Sequence, residues 1–247
     1  MFKAISCSLL FLIGLSQAAM SQLVKSDGAE VQSIAEKNIE TYFNKAIGSQ
    51  SRLYNGFSYV GYRSNIDGSP YFLEEKLLKN GTVVYNGFKY ENVPLLYDVY
   101  KDVLVSNNYE SSLQFSLISE KVSSFTILDH HHVFIDTSKD SVNIPFKSGF
   151  LELLHDGKTQ VLVKRSASLQ QTSGTADLRK YFQVRTQFFV KKDGSYSKIT
   201  NESSFLKLFK DHKAEMKRLL KTNAVKFRKE PTKAMVLLAN YFDNLSN

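Results

Sequence analysis

The sequence predicts an α+β fold, in which an antiparallel β-meander, either a sandwich or a curved sheet, lies between an N-terminal helix and a C-terminal pair of basic helices. Three observations predict this class. Apolar residues recur at helical spacing near both ends of the chain, they alternate with polar residues in the middle, and turn signals separate the alternating segments. Of the 247 residues, 43% are hydrophobic and 23% are charged, which is typical of a globular protein and not of a disordered one.

The chain begins with the features of a secretory signal peptide, assigned to residues 1–18. Lys3 precedes an apolar run from Ala4 to Leu15, and the small residues Ser16 and Ala18 form a cleavage site. The apolar run is shorter than the roughly 20 residues that a membrane-spanning helix needs. Export is therefore predicted, with residues 19–247 forming a single domain.

Cysteine usage limits the chemistry of the mature protein. Cys7, the one cysteine of the chain, lies within the predicted signal peptide. The mature protein then has no disulfide, no disulfide-linked partner, no thiol nucleophile and no thiolate metal site. Its stability is expected to depend on the size of its core.

The first element predicted in the mature protein is a helix over about residues 27–48. The segment from Asp27 to Glu30 has the pattern of a capping box. Apolar residues then recur at helical spacing up to Gly48, where glycine is typical of a helix end. The mature protein is therefore expected to open with an amphipathic helix.

The middle of the chain, from about residue 53 to 200, is predicted to be β-rich. Apolar and polar residues alternate over 113–117 and over 182–190, which is typical of half-buried strands. Three dipeptides between such segments supply the positive φ of tight hairpins: Asn86-Gly87, Asp156-Gly157 and Asp193-Gly194. Hairpins that follow one another without helical crossovers pair antiparallel, so a meander of about eight to ten strands is expected.

Helical spacing returns over about residues 203–245. Ser203 or Ser204 is expected to cap the first helix of this tail, and Pro231 is expected to begin the last one. A short segment with apolar stripes is expected to dock onto the sheet rather than to fold as a separate domain.

Positive charge is concentrated in this predicted tail. Residues 203–233 contain ten Lys and Arg and three acidic residues, a net charge of +7, whereas the whole chain has +8. Cationic helices attract anionic membrane surfaces or acidic envelope proteins. Nucleic acid is not expected, because the protein is exported and no aromatic residues are interleaved for base stacking. The alternative is a solvated charged face. The residues predicted to contact an anionic surface are Lys217, Arg218, Lys221, Arg228 and Lys229.

Three consecutive histidines are the candidate metal ligands. In an extended segment, His130 and His132 project from one face and His131 from the other, an arrangement that can hold a divalent metal. The spacing indicates no third ligand, so neither a metal nor any other cofactor is predicted. Histidines exposed at a turn are the alternative.

The sequence contains no recognisable catalytic constellation. It has no Gly-x-Ser-x-Gly elbow, and its glycines do not form a phosphate-binding loop. Glu74-Glu75, or Asp98 with Asp102, could supply paired carboxylates for glycoside chemistry, but adjacent residues of a strand point to opposite faces. The sequence therefore does not support an enzymatic activity.

Several segments occur together in a characteristic order. SRLYNG (51–56), GSPYF (68–72) and VVYNGFKYENVPLLYD (83–98) are followed by KDGSY (192–196) and FRK (227–229). With this order the chain resembles a family of uncharacterised exported proteins of Gram-negative bacterial envelopes, over nearly the whole mature chain. The resemblance implies a location in the periplasm or peripherally on the envelope. It implies no activity and no catalytic residue.

Three functions are compatible with these features. The first is a non-enzymatic exported envelope protein with a binding or scaffold role, whose basic C-terminal helices contact an anionic surface. The second is a periplasmic carrier of an apolar ligand, which predicts a large apolar cavity under a curved sheet. The third is a glycan-acting hydrolase, which predicts converging carboxylates or a histidine metal site in a groove.

Overall fold

One sheet of twelve strands dominates the structure, a computed structural model that describes residues 53, 55–107, 113–138, 144–172 and 179–245. The predicted signal peptide (1–18) and the predicted N-terminal helix (about 27–48) lie outside these residues. Two 3₁₀ turns interrupt the series of strands, and the described helices follow the last strand. Within the described residues the fold is therefore compatible with the predicted α+β class.

The strands are short at the start of the chain and long towards its end. Their bounds are β1 Phe57–Ser58, β2 Ile66–Asp67, β3 Lys79–Tyr85, β4 Phe88–Asp98, β5 Val103–Asn107, β6 Gln114–Ser116, β7 Val122–Ile127, β8 His130–Ile135, β9 Gly149–His155, β10 Gln160–Gln171, β11 Lys180–Lys192 and β12 Ser195–Ile199. The 3₁₀ turns are Phe72–Glu74 and Ser119–Lys121.

The order of the strands shows two meanders that share β3. The order is β1-β6-β5-β4-β3-β7-β8-β9-β10-β11-β12, and the short β2 pairs with β11 in parallel. Strands β4 to β6 follow β3 on one side. The chain then returns to place β7 on the other side of β3, and every later strand pairs with its predecessor. The structure confirms the predicted antiparallel sheet, and it has one sheet where a sandwich would have two.

The sheet curls, so that strands distant in its order come into contact. The turn between β4 and β5 reaches β10, where the N–H of Ala167 donates to the carbonyl of Val99 at 3.2 Å. Lys164 Nζ of β10 also lies 2.5 Å from Asp102 Oδ2 of the same turn. These contacts close part of the aromatic core, against which Ala167 packs.

Three helices follow β12. They are α1 Glu202–Leu206, α2 Lys213–Thr222 and α3 Pro231–Leu245, and a 3₁₀ segment, Lys207–His212, joins α1 to α2. The break between α1 and α2 falls at Phe209, whose φ of −125° and ψ of 54° are not helical. Pro231 begins α3, as predicted. In the described part of the chain, no helix has the length and the apolar composition that crossing a membrane requires.

The cap of α1 differs from the prediction. Asn201 is the N-cap: its side chain accepts a hydrogen bond from the N–H of Ser204 at 2.9 Å. The Ser204 hydroxyl in turn accepts from the N–H of Asn201 at 3.0 Å. This reciprocal pair satisfies two of the N–H groups that a helix start leaves free. Ser204 therefore belongs to the cap, but at its third position and not at its first.

Two large cores of described residues lie on the sheet, beside two smaller hydrophobic clusters. The aromatic core, over β3–β9, surrounds the fully buried rings of Tyr97, Phe125 and Phe150. The helical core forms where β10–β12 meet the helices, and α3 contributes Met235 and Leu238 to it. Because burying one such side chain contributes roughly 1.5–3 kcal/mol, the helices are held to the sheet by packing. The tail thus docks onto the sheet, as its apolar stripes indicate.

Two of the three predicted hairpin turns have the expected backbone. Asn86-Gly87 and Asp193-Gly194 have positive φ at both residues. The prediction for Asp156-Gly157 is wrong, because neither residue has positive φ and the β9–β10 loop is longer than two residues. Gly157 instead leaves room for a side chain of α3.

A carboxylate of α3 closes the β9–β10 loop. Asp243 Oδ1 accepts a hydrogen bond from the N–H of Thr159 at 3.1 Å, and its Oδ2 lies 2.9 Å from His155 Nε2. A side chain at Gly157 would collide with the same carboxylate. Glycine therefore leaves room for the Asp243 carboxylate of α3, and its φ is not left-handed.

Candidate functional site

The ten cations of the C-terminal segment form the basic surface. They are Lys207, Lys210, Lys213, Lys217, Arg218, Lys221, Lys226, Arg228, Lys229 and Lys233, and all ten are exposed. Lys233 lies 3.4 Å from Glu230. None of the other nine forms an ion pair with a carboxylate of the described residues. The concentration of charge seen in the sequence is therefore a surface feature with little internal neutralisation.

Four of these cations line one groove, the cationic groove, of about 680 Å³. On α2, Met216 and Leu220 are buried in the helical core. Side chains one or two places away leave the helix on its solvent side. Leu220 and Val225 also line the cationic groove, together with alanines of α2 and of the following turn. Its cations are Lys217, Arg218, Lys221 and Lys226.

The five residues predicted to contact an anionic surface do not all line the same groove. Lys217, Arg218 and Lys221 share the cationic groove. Arg228 lines a second groove of about 360 Å³, the apolar groove, and Lys229 is exposed but lines neither. Lys226 completes the cationic groove but was not among the predicted five, because sequence spacing does not show that the turn after α2 folds back beside the helix.

The histidines are placed as the extended segment predicts. His130 and His132 share a face of β8, and both contact the ring of Phe72 (5.1 and 4.9 Å between centroids). The Nδ1 atom of His130 bonds to Glu152 and that of His132 to a backbone carbonyl. His131, on the other face, bonds to Thr126. Among the described residues, no group of three or more His, Cys, Asp or Glu could hold a metal ion.

His132 is a buried aromatic core residue. It stacks on Phe125 with 4.5 Å between centroids and an interplanar angle of 7°. Burial, which disfavours the charged imidazolium, lowers the pKa of His132 to about 3. The ring is therefore neutral at physiological pH and acts as part of the packing.

Sequence reasoning missed a buried ionic centre, formed by His130, Glu152 and Arg165. Glu152 is only 2% exposed, and its carboxylate lies 2.5 Å from His130 Nδ1 and also bonds to the Arg165 guanidinium. Burial by itself raises the pKa of Glu152, but the hydrogen bonds from Arg165 and His130 outweigh it and hold the pKa below 4.5. The Arg165 guanidinium also lies 5.0 Å from the centroid of the Phe72 ring, a cation–π contact.

Two of the carboxylates that could have served catalysis, Asp98 and Asp102, bond to residues of other parts of the fold. Asp102 accepts a hydrogen bond from Tyr97 at 2.6 Å and pairs with Lys164. Asp98 is fully buried and accepts from the hydroxyls of Tyr59 and Tyr62 at 2.8 and 2.6 Å. Burial, together with these hydrogen bonds, raises the pKa of both tyrosines well above its usual range. The carboxylates are therefore occupied by partners from distant parts of the chain.

One signal could have located the ionic centre. Glu152 is a single acidic residue within a strand whose first four residues are all buried. A buried carboxylate requires a partner. The partner could not be read from the sequence, because pairing of β9 with both β8 and β10 depends on the register of the sheet.

Comparison with known proteins adds no assignment. No family model, no curated protein and no solved structure matches the chain. The function must therefore be argued from the geometry of the described residues.

Proposed function

We propose that the protein is an exported, non-enzymatic envelope protein with a binding or scaffold role, whose C-terminal helices contact an anionic membrane surface. The basic surface carries this proposal. Nine of its ten exposed cations have no ion-pair partner among the described carboxylates. Each Lys or Arg near an anionic lipid surface contributes about 1 kcal/mol to binding, so several together suffice for stable association.

The distribution of the charge would also orient the molecule relative to an anionic surface. The segment 203–233 carries +7, whereas the chain as a whole carries +8. The field of the protein is therefore strongest over the helices. An anionic surface would attract the helical end first and leave the sheet facing away from it.

Apolar insertion contributes little to this contact. Of the large apolar side chains described in α1–α3, Leu245 at the end of α3 is the one that is exposed, by 48%. The association should therefore be electrostatic and sensitive to salt, because exposed charges are screened within about 8 Å at physiological ionic strength.

The two other functions considered from the sequence have less support. A carrier needs space for an apolar ligand, but rings of the aromatic core fill the face of the sheet beneath Phe72. A glycan hydrolase needs converging free carboxylates, but Asp98 and Asp102 are occupied by structural partners. Both therefore have less support than contact with an anionic membrane surface.

Vesicle flotation tests the proposal. The full-length chain is expressed in a Gram-negative host and purified from the periplasm, and its mass shows whether residues 1–18 have been removed. We expect binding to vesicles that contain phosphatidylglycerol, no binding to phosphatidylcholine vesicles, and release at high salt. The variant Lys217→Gln, Arg218→Gln, Lys221→Gln, Arg228→Gln, Lys229→Gln should bind at least about a hundred-fold more weakly.

A matched variant controls for net charge. It replaces five exposed cations outside the helices, none of which forms an ion pair with a described carboxylate: Lys76, Lys121, Lys147, Lys180 and Arg185. This variant should keep most of the binding. Equal losses in the two variants, binding to neutral vesicles, or no binding at low salt would each overturn the proposal.

A further inference from the structure

The cationic groove differs from the rest of the basic surface in its shape. Lys217, Arg218 and Lys221 leave one side of α2, and Lys226 approaches from the turn that follows the helix. This turn is tight: the N–H of Val225 donates to the carbonyl of Leu220 at 3.0 Å. The result is a concave site about 680 Å³ in volume, with cations on its rim and apolar side chains at its base.

The turn that shapes the groove has a conformation that alanine rarely adopts. Ala224 has a φ of +53°, which favours glycine, and it lines the groove. The left-handed residue ends α2 and turns the chain so that Val225 is buried while Lys226 stays exposed. The backbone of this turn thus places Lys226 beside α2.

A single carboxylate opposes these cations. Among the described residues that line the groove, Glu202 is the only acidic one, and it pairs with none of the four cations. Four positive charges and one negative charge converge on a space that is open to solvent. Phosphate groups are the anions that such clusters of Lys and Arg bind well.

The apolar groove lies directly beside the cationic groove. Glu202 lines both, and it is the residue common to them. The apolar groove is lined by Phe188, Ile199, Phe227 and Pro231, and by the polar residues Thr200, Asn201, Glu202 and Arg228. A ligand that carries a phosphate and an apolar part could place one in each groove.

We propose that these two grooves form a discrete binding site for one anionic phospholipid, with the headgroup phosphate in the cationic groove and the start of an acyl chain in the apolar groove. The inference rests on the proposed function, and it replaces diffuse attraction to a charged surface by a site with a stoichiometry of one. The adjoining apolar groove is the reason for choosing a lipid over a free phosphate. Free phosphate would use only the cationic groove.

Titration calorimetry with a short-chain lipid tests the site without a membrane. Dihexanoyl phosphatidylglycerol, kept below its critical micelle concentration, should bind the purified mature protein saturably at one site. Glycerophosphoglycerol, the deacylated headgroup with the same single negative charge, should bind at least about five-fold more weakly, since burial of acyl CH₂ groups adds to affinity. Equal affinity for the two compounds would overturn the lipid assignment.

Two variants with equal changes of charge separate the groove from the basic surface. The groove variant replaces Lys217, Arg218, Lys221 and Lys226 by Gln, and the control variant replaces Lys207, Lys210, Lys213 and Lys229 by Gln. The groove variant should bind the short-chain lipid at least about ten-fold more weakly, and the control should stay within about two-fold. Equal losses would overturn the proposal.

A third variant should gain affinity, which a misfolded protein cannot do. Glu202→Gln removes the one described carboxylate of the groove and should tighten binding by about three-fold, the effect of one partly exposed charge. Unchanged or weaker binding by this variant would count against phosphate in the cationic groove.

The outcome can be distinguished from failure of the proposed function. If vesicles bind but the two four-residue variants lose vesicle binding equally, the proposed function stands and the discrete site falls. If vesicles do not bind but the short-chain lipid binds and the groove variant abolishes it, the site stands without the membrane contact.

Discussion

Charged side chains lie both around strands β8–β10 of the sheet and in the C-terminal helical segment. The two regions differ in what these side chains contact. In the sheet, Glu152 bonds to both His130 and Arg165, and Asp102 bonds to Lys164. In the C-terminal helical segment, nine exposed cations have no described carboxylate as partner. Paired charges within the sheet stabilise one arrangement of strands, whereas unpaired charges on the helices are available to something outside the molecule.

The two regions should also respond differently to the loss of a charge. Removing one member of a buried pair leaves an uncompensated charge in a region of low dielectric constant, which costs several kcal/mol. Removing an exposed, unpaired cation changes stability little but alters the long-range field. Substitutions in the sheet should therefore affect folding, and substitutions on the helices should affect association.

The largest effect is expected from Glu152→Ala. This variant leaves the Arg165 guanidinium without its carboxylate partner and should lower the free energy of unfolding by about 3–5 kcal/mol. Urea unfolding followed by circular dichroism measures the change. The apolar double variant Glu152→Leu, Arg165→Met should recover part of the loss, because it removes both charges together.

An exposed ion pair provides the control for Glu152. Glu91 lies 2.7 Å from Lys89 at the surface of β4, and Glu91→Ala should change the free energy of unfolding by less than about 1 kcal/mol. If Glu152→Ala costs no more than Glu91→Ala, the buried ionic centre does not stabilise the fold.

An intermediate effect is expected from the pH dependence of stability. The pKa of His132 is about 3 in the folded protein and near 6.5 when the chain is unfolded. Below about pH 6.5 the unfolded state therefore binds a proton that the folded state does not. The free energy of unfolding then falls by up to about 1.4 kcal/mol for each unit by which the pH is lowered. His132→Phe, which keeps a stacked ring on Phe125, should reduce this slope between pH 5 and pH 6.5.

His131 supplies the control for that measurement. It lies on the opposite, exposed face of β8, so His131→Phe should leave the slope close to that of the unaltered protein. Urea unfolding at a series of pH values gives both slopes. Identical slopes for the unaltered protein and for His132→Phe would contradict the assignment of the buried proton site.

The smallest effect is expected from the basic surface. The variant with Lys217, Arg218, Lys221, Arg228 and Lys229 changed to Gln should differ by less than about 1 kcal/mol in the free energy of unfolding, because these side chains are exposed and unpaired. Any change should be towards greater stability, since like charges are removed. A loss of several kcal/mol would show that these cations hold the helices in place.

The amount that could be predicted differs between the fold and the site. Alternation and turn dipeptides predicted an antiparallel sheet, because both depend on neighbours within a few residues. The Asp156-Gly157 turn was misjudged, because the reason for Gly157 is Asp243, which is far away in the chain. Ser204 was recognised as part of a cap, but its partner Asn201 was not.

The candidate site shows the same division. The sequence predicted that positive charge gathers in the tail, since this is a matter of counting. It could not predict that Lys226 joins Lys217 and Lys221 in one groove, because the left-handed turn at Ala224 brings them together. The extended histidine segment predicted that His130 and His132 share a face of the strand. It did not predict that His130 bonds to Glu152.

By itself, then, the sequence determined the antiparallel β class of the middle region, the helical spacing of the tail and the concentration of positive charge there, since these properties follow from local periodicity and composition. Only the tertiary structure decided the curl of the sheet, the pairing of Glu152 with Arg165 and the gathering of four cations in one groove. Those features depend on strand register and on contacts between residues far apart in the chain. Packing of whole elements selects such contacts, and no short stretch of sequence encodes them.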